Sequence, residues 1–261
     1  MQSKKLRRLT DYDGLIVDLD GVVWRGKNPI KANIEALSIA LASGVRLVFL
    51  TNNSTRARYQ IAEMIRELGI NATEDEIVSS SYAAALLVKS RLGSKARIGV
   101  IGEEGLIAEL VAAGIRVYTL DASRLDAIVV GLDRNITYTK LSHASRHISQ
   151  GALLIATNTD KSIPSENGMN PGAGSILKLV EEATGRHPDF IVGKPNRWIG
   201  EVALRVLGVT GDIAVIGDRI ETDMELAKKM GVDGILVLTG ASSKPSEDAW
   251  FTVVRDLSEI V

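Results

Sequence analysis

Cysteine is absent from the 261 residues. That excludes disulfides, thiolate metal sites and a cysteine nucleophile, and it fits a reducing compartment such as the cytoplasm. Aromatic residues make up only 4% of the chain, too few for the stacking platforms that grip single-stranded nucleic acid. An excess of one charge is missing too: Lys and Arg number 31 against 32 Asp and Glu, a net -1. The balance gives no support to a nucleic-acid partner. No run approaches the ~18 apolar residues of a membrane span. The basic start, Met1 to Thr10, lacks the apolar stretch of a secretory signal. What remains is 45% hydrophobic and 24% charged, enough for a sizeable core in one large or two moderate domains. The expectation is a cytoplasmic protein with neither membrane nor nucleic acid as partner.

The stretch around which the chain is organised runs from Asp13 to Trp24. Leu15 to Val17 reads as a buried strand that ends on two carboxylates, Asp18 and Asp20, followed at once by Gly21. Residues i and i+2 of a strand share a face, so both acids are expected to point into one space. Two carboxylates about 4 Å apart repel by roughly 4 kcal/mol at an effective dielectric of 20. Such a pair calls for a cation, a shared proton or open solvent; a plain solvated turn is the other reading.

Strands and helices alternate through the rest of the chain. After a short loop, Arg25 to Pro29, a helix is expected over Ala32 to Ala42 and a buried strand over Val45 to Leu50. The latter ends in Thr51-Asn52-Asn53-Ser54-Thr55, and a helix over Ala57 to Leu68 follows. A second α/β series has strands at Ile98 to Ile101, Val117 to Leu120, Ala127 to Val130 and Leu153 to Ala156. Its helices are expected over Tyr82 to Ser90, Gly105 to Ala113, Lys140 to Ser149 and Ser175 to Ala183, with a loop over Lys161 to Gly174. A third segment carries Phe190 to Val192, Gly193-Lys194-Pro195, a helix over Ile199 to Leu207 and the strand Ile213 to Ile216, which ends in Gly217-Asp218-Arg219. A helix over Met224 to Met230 and strands at Gly234 to Leu238 and near Trp250 to Val254 close the chain. The pattern predicts an α/β fold: a doubly wound parallel-sheet, Rossmann-like core with an inserted α/β domain. The boundaries are placed at 1–80 and 188–261 for the core and 81–187 for the insert.

Ligands of open α/β sheets bind beyond the carboxyl ends of the strands, so the polar clusters at Asp18, Thr51 and Asp218 are expected to form one site. Asp18, Asp20, Asp218 and Asp223 bring up to four carboxylates there. A cysteine-free, histidine-poor oxygen set favours magnesium. Lys194 is the natural positive partner, while Thr51, Asn52 and nearby backbone N–H groups suit phosphate oxygens. Together they point to phosphoryl transfer: one carboxylate attacks phosphorus and another moves the proton.

Asp18-Leu19-Asp20-Gly21-Val22, Thr51-Asn52-Asn53, Gly193-Lys194-Pro195 and Gly217-Asp218-Arg219 through Thr222-Asp223 stand in the order of the four motifs of the haloacid dehalogenase superfamily. The insert between the second and third, with Ala156-Thr157-Asn158-Thr159-Asp160 and Pro171-Gly172-Ala173-Gly174-Ser175, resembles the cap of its NagD-like, para-nitrophenyl phosphatase branch. The resemblance spans Asp13 to about Thr239. It implies Asp18 as nucleophile and metal ligand, and Asp20 as general acid/base that lends a backbone carbonyl to the metal. It further implies Asp218 as direct ligand, Asp223 as a ligand through water or a second shell, and Thr51, Asn52, Asn53 and Lys194 around the phosphate. Asn158 and Asp160 become candidates for setting specificity, and a homodimer through the cap becomes a candidate assembly. The implied activity is magnesium-dependent hydrolysis of small phosphomonoesters through an aspartyl-phosphate.

Other readings stay open. A phosphotransferase or mutase could use the same core, and a phospho-acceptor signalling module would share its acids, Thr and Lys. Asp223 could simply cap the helix expected at Met224. Asn158 and Asp160 could bond their own loop. Trp24 could touch substrate or pack its loop. His143 and His147 lie four apart on one expected helix and read as a solvent-facing stripe rather than a zinc pair.

Overall fold

The computed structural model describes residues 7–165, 168–242 and 249–261. It divides into two compact units. One takes the chain up to Thr51, Ala62–Val78 and everything from Lys194 on; the other takes Asn52–Ile61 and Ser79–Gly193.

The first unit is built on a six-stranded sheet. Its order is Thr252–Val254, Asp233–Val237, Ile213–Gly217, Gly14–Val17, Arg46–Thr51, Ile77–Ser79. The pairings from Thr252–Val254 across to Arg46–Thr51 are parallel. Gly14–Val17 is buried at every position, and Arg46–Thr51 at all but its first. A strand covered on both faces must be apolar throughout, which is why these segments read as unbroken hydrophobic runs. The register sets Val17 beside both Ile216 and Phe49. The chain leaves Gly14–Val17 toward one edge, and after the insertion it returns to the other side of the same strand. The sheet's topological switch point therefore lies between Gly14–Val17 and Ile213–Gly217, where Asp18 and Asp218 emerge.

The second unit has its own parallel sheet, ordered Phe190–Ile191, Leu153–Ala156, Ala127–Val130, Arg97–Ile101, Arg116–Tyr118. Ile101, Ile128, Val130 and Leu154 of that sheet pack with Ala144 and Ile148 of the helix Tyr138–Ser149 and with Ile176, Leu177 and Val180 of the helix Ala173–Thr184. Each large aliphatic chain buried this way contributes about 1.5–3 kcal/mol of transfer free energy. That is a core of its own.

Several expectations are corrected. The boundary after the insert falls between Gly193 and Lys194 rather than at 187/188, because Phe190↔Ile155 and Ile191↔Ala156 pair in the second sheet. The segment Asn52–Ile61, expected in the core, belongs to the second unit. There Arg58 is held by Glu109 through its backbone N–H at 2.7 Å and its Nε at 3.0 Å. Two expected loops contain short antiparallel ribbons, Trp24–Arg25 with Asn28–Pro29 and Ser162–Ser165 with Gly168–Pro171. The helix expected from Met224 is preceded by a π-helical turn, Ile220–Met224. His147 is buried with Nε2 3.1 Å from the Leu120 carbonyl, so the histidine pair is no solvent-facing stripe.

Candidate active site

Asp18 is the first residue beyond its strand, and its backbone N–H still bonds Ile216 O at 2.9 Å. The side chain is buried, and its Oδ1 lies 2.7 Å from Lys194 Nζ. Lys194 donates in turn to Asp223 Oδ1 at 2.6 Å and to the Leu50 carbonyl at 3.4 Å. Only 3% of Lys194 and none of Asp223 is exposed. Asp18, Asp218 and Asp223 each offer a carboxylate oxygen within 4.8 Å of the others. The arrangement is three buried acids and one ammonium.

Electrostatics show what such a group lacks. Burial foremost pushes the Asp18 carboxyl well above its ordinary range; Asp223 and Asp218 push the same way and Lys194 opposes them. Asp218 is raised by burial and then by Asp223. Burial works to lower the Lys194 ammonium, but Asp18 and Asp223 outweigh it and its pKa is raised. Lys194 therefore stays charged, and the acids remain short of positive charge. One oxygen shows where that charge belongs. Asp218 Oδ2 accepts the Ala241 N–H at 2.6 Å, whereas its Oδ1 is buried without a hydrogen-bond partner. Buried polar atoms are nearly always paired. An oxygen-only set with one orphaned carboxylate oxygen fits a hard divalent cation such as Mg2+.

Asp20 behaves differently. The strand stops at Val17, and the chain turns so that the N–H groups of Val22, Val23 and Trp24 all point to the Leu19 carbonyl. The i, i+2 rule for strands thus does not govern the pair, and the Asp20 side chain is exposed outside the three-acid group. Its Oδ1 accepts the Trp24 indole N–H at 3.0 Å. Trp24, with both roles open in the sequence, is 9% exposed and holds Asp20.

Thr51 ends its strand buried. Asn52 and Asn53 open the second unit. The Asn52 amide donates to both carboxylate oxygens of Asp160 at 3.3 and 3.2 Å. The Asn52 carbonyl accepts Asn158 Nδ2 at 2.8 Å and the Ser80 hydroxyl at 2.7 Å. Three residues singled out separately in the sequence are thus one network. Asn158 also bonds its own loop, accepting the Asp160 N–H at 3.0 Å, which is the loop-bonding reading. Asn53 Oδ1 accepts from the Thr55 backbone and hydroxyl at 2.8 and 2.9 Å, which occupies it in an Asx turn. Asp223 does not cap a helix. It lies inside the π-helical turn, where its Oδ2 accepts the Arg219 N–H at 3.1 Å.

Sequence reasoning missed Asn33, Thr239 and Ala241. Asn33 carried a signal: it shares a fully buried helix face with Leu37 and Ala40, where an amide needs partners. Thr239 and Ala241 carried none.

Family profiles match the chain over residues 15–116, described as haloacid dehalogenase-like hydrolase, and over residues 191–260, described as HAD-hydrolase-like. The chain is 35% identical over 236 residues to the acid sugar phosphatase of Staphylococcus haemolyticus, covering 90% of this chain and 88% of that one. Among solved structures it is similar to the p-nitrophenyl phosphatase from Archaeoglobus fulgidus, with a TM-score of 0.87, 34% identity and coverage of 95% and 97%. It is also similar to a glycerol phosphate phosphatase from Mycobacterium tuberculosis in complex with magnesium, with a TM-score of 0.89, 32% identity and coverage of 98% and 78%.

Proposed function

The chain belongs to the haloacid dehalogenase-like hydrolases, and we propose that it is a magnesium-dependent phosphatase of small, hydroxylated phosphomonoesters. The observation that carries this reading is the buried Lys194 bridging Asp18 and Asp223 beside the unpaired Asp218 oxygen. The relatives named above are phosphatases of sugar, glycerol and nitrophenyl phosphates.

In the first step an oxygen of Asp18 attacks phosphorus, forming an aspartyl-phosphate as the ester P–O bond breaks. Asp20 gives its proton to the departing alkoxide. In the second step Asp20 takes a proton from water, whose oxygen attacks the same phosphorus and frees the Asp18 carboxylate and inorganic phosphate. Lys194 donates to Asp18 and favours its ionised, attacking form, and Thr51 presents its hydroxyl to the phosphate oxygens. The Asp18 and Asp218 carboxylates and the Asp20 carbonyl would hold Mg2+, with Asp223 acting through water or through Lys194. Bound there, Mg2+ supplies positive charge against the phosphoryl oxygens. Asn158 and Asp160, joined to Asn52 in one hydrogen-bond network of the inserted unit, are the residues we assign to choosing among substrates.

Among the described residues no helix is long and apolar enough to cross a membrane. The cysteine-free composition supports a cytoplasmic location. A homodimer through the inserted unit completes the proposal, and equilibrium sedimentation tests it.

The decisive experiment measures phosphate release from a panel of phosphomonoesters with Mg2+ and with excess chelator. Turnover is expected only with the metal and is lost in Asp18→Asn. Full activity in chelator would overturn the mechanism.

A further inference from the structure

The segment after the strand Asp233–Val237 is tied to both halves of the acidic site. The Thr239 hydroxyl donates to the Gly21 carbonyl at 2.6 Å. Asn33, buried in the helix Lys31–Ala42, donates to Thr239 Oγ1 at 3.3 Å and to the Val22 carbonyl at 2.8 Å. Its own Oδ1 accepts the Leu257 N–H at 2.8 Å. Asn33 is fully enclosed, and its amide holds Thr239 and the turn after Asp20 in one geometry.

Asp218 sits between the two strips of chain that Thr239 joins. A Cβ on Gly21 would fall 2.3 Å from Asp218 Oδ2, and one on Gly240 would fall 2.0 Å from the same atom. Only glycine backbone can approach the carboxylate this closely from either side. Ala241 N–H bonds that Oδ2, and Ser242 N–H bonds the Asp218 carbonyl at 3.2 Å. With Oδ2 clamped, the orientation of the unpaired Oδ1 follows from the width of the slot. The Thr239–Gly21 hydrogen bond is the tie across it.

We propose that Thr239, held by Asn33, is a positioning residue for the divalent cation: it sets the slot that aims the free oxygen of Asp218. The inference rests on the reading that these acids hold Mg2+, and Thr239 itself need touch neither metal nor substrate. Groups that orient a ligating carboxylate in this way change metal affinity by about 10–100-fold when removed.

Thr239→Val keeps the β-branched shape and removes the donor; Thr239→Ser keeps the donor and removes a methyl. Isothermal titration of substrate-free protein with MgCl2 should show affinity at least about tenfold weaker in Thr239→Val and within about threefold of the unsubstituted protein in Thr239→Ser. Circular dichroism melts in chelator report on folding separately, and the two variants should melt close together there. Unchanged Mg2+ affinity in Thr239→Val, or equal losses in both variants, overturns the inference while leaving the phosphatase reading in place. Absence of Mg2+ binding by the unsubstituted protein overturns both.

Discussion

Each unit buries acids, and two of them, Glu109 and Asp218, are treated in opposite ways. Glu109 in the second unit is 5% exposed and fully engaged: Oε1 takes the Arg58 backbone N–H, Oε2 takes the Arg58 Nε, and the Arg58 guanidinium lies 3.8 Å over the Tyr82 ring. Asp218 in the first unit is 4% exposed and keeps one oxygen unpaired, with Asp18 and Asp223 close by. Burying a charge costs several kcal/mol unless its partners replace water. Glu109 has those partners, so it can serve the fold. Asp218 has only half of them, and such a deficit is retained where a ligand makes it good.

The sharpest way to break this contrast is to neutralise both acids in turn. Asp218→Asn should lower kcat by about a hundredfold or more while the metal-free protein keeps or gains stability, because a repulsive buried charge is gone. Glu109→Gln should do the reverse: unfolding free energy falls by about 3 kcal/mol, and activity at a permissive temperature stays within about threefold. Denaturant melts paired with phosphate-release assays check both arms. A stable, inactive Glu109→Gln together with an unstable, active Asp218→Asn would invert the comparison.

Metal linkage gives a second, smaller test. A ligand that binds only the folded state at 100 times its dissociation constant stabilises by about 2.7 kcal/mol. Mg2+ should therefore raise the Tm of the unsubstituted protein and of Glu109→Gln by similar amounts, and leave Asp218→Asn nearly unmoved. Calorimetry with and without chelator measures this. An equal shift in all three would place the cation elsewhere.

Much of this architecture is legible in the amino-acid order, and the gaps have physical causes. Ala127–Val130, between Asp126 and Gly131, and Leu153–Ala156, which runs into Thr157, are short apolar runs, and the observed strands have those same limits. Ile77–Ser79 escaped notice because three residues after Glu74-Asp75-Glu76 show no period, and their place at the sheet's edge is set by tertiary pairing. Phe190–Ile191 was assigned to the wrong sheet for a related reason: its partner lies some 35 residues back in the chain, and local pattern cannot name a partner. At the site, the acids and Lys194 are visible because charges at strand ends stand out. Thr239 is invisible because a threonine after a strand looks ordinary until its distant partners are known, and the place of Asn33 on an apolar helix face says that its amide needs partners without naming them.

The network of the second unit allows a finer cut. Asp160 accepts an amide that belongs to the residue after Thr51, and a partly exposed carboxylate can also take hydroxyl hydrogens from a polyol. Asp160→Asn should lower kcat/KM for sugar and glycerol phosphates by about tenfold, the scale of one hydrogen bond to a charged group. For para-nitrophenyl phosphate, which has no such hydroxyl, the change should stay within about twofold. Parallel losses on both substrates would assign Asp160 to the fold of its loop instead.

The smallest effect is expected at Trp24. Its indole N–H is bonded to Asp20 at 3.0 Å, so Trp24→Phe preserves the ring that packs the turn and removes one donor. Proton transfer to the leaving group matters most when that group is a strongly basic alkoxide, and least for nitrophenolate, which departs readily without a proton. Loss of the hydrogen bond that orients Asp20 should therefore lower kcat/KM for glycerol phosphate by about five- to tenfold and for para-nitrophenyl phosphate by less than about twofold. The ratio of the two kcat/KM values is the readout: it covers the steps up to departure of the leaving group, leaves out the water attack in which Asp20 serves both substrates, and stays constant when a general loosening of the turn slows both alike. Should the ratio stay constant, Trp24 is packing for the turn, and the orientation of Asp20 must come from the slot formed by Gly21, Asp218 and Gly240.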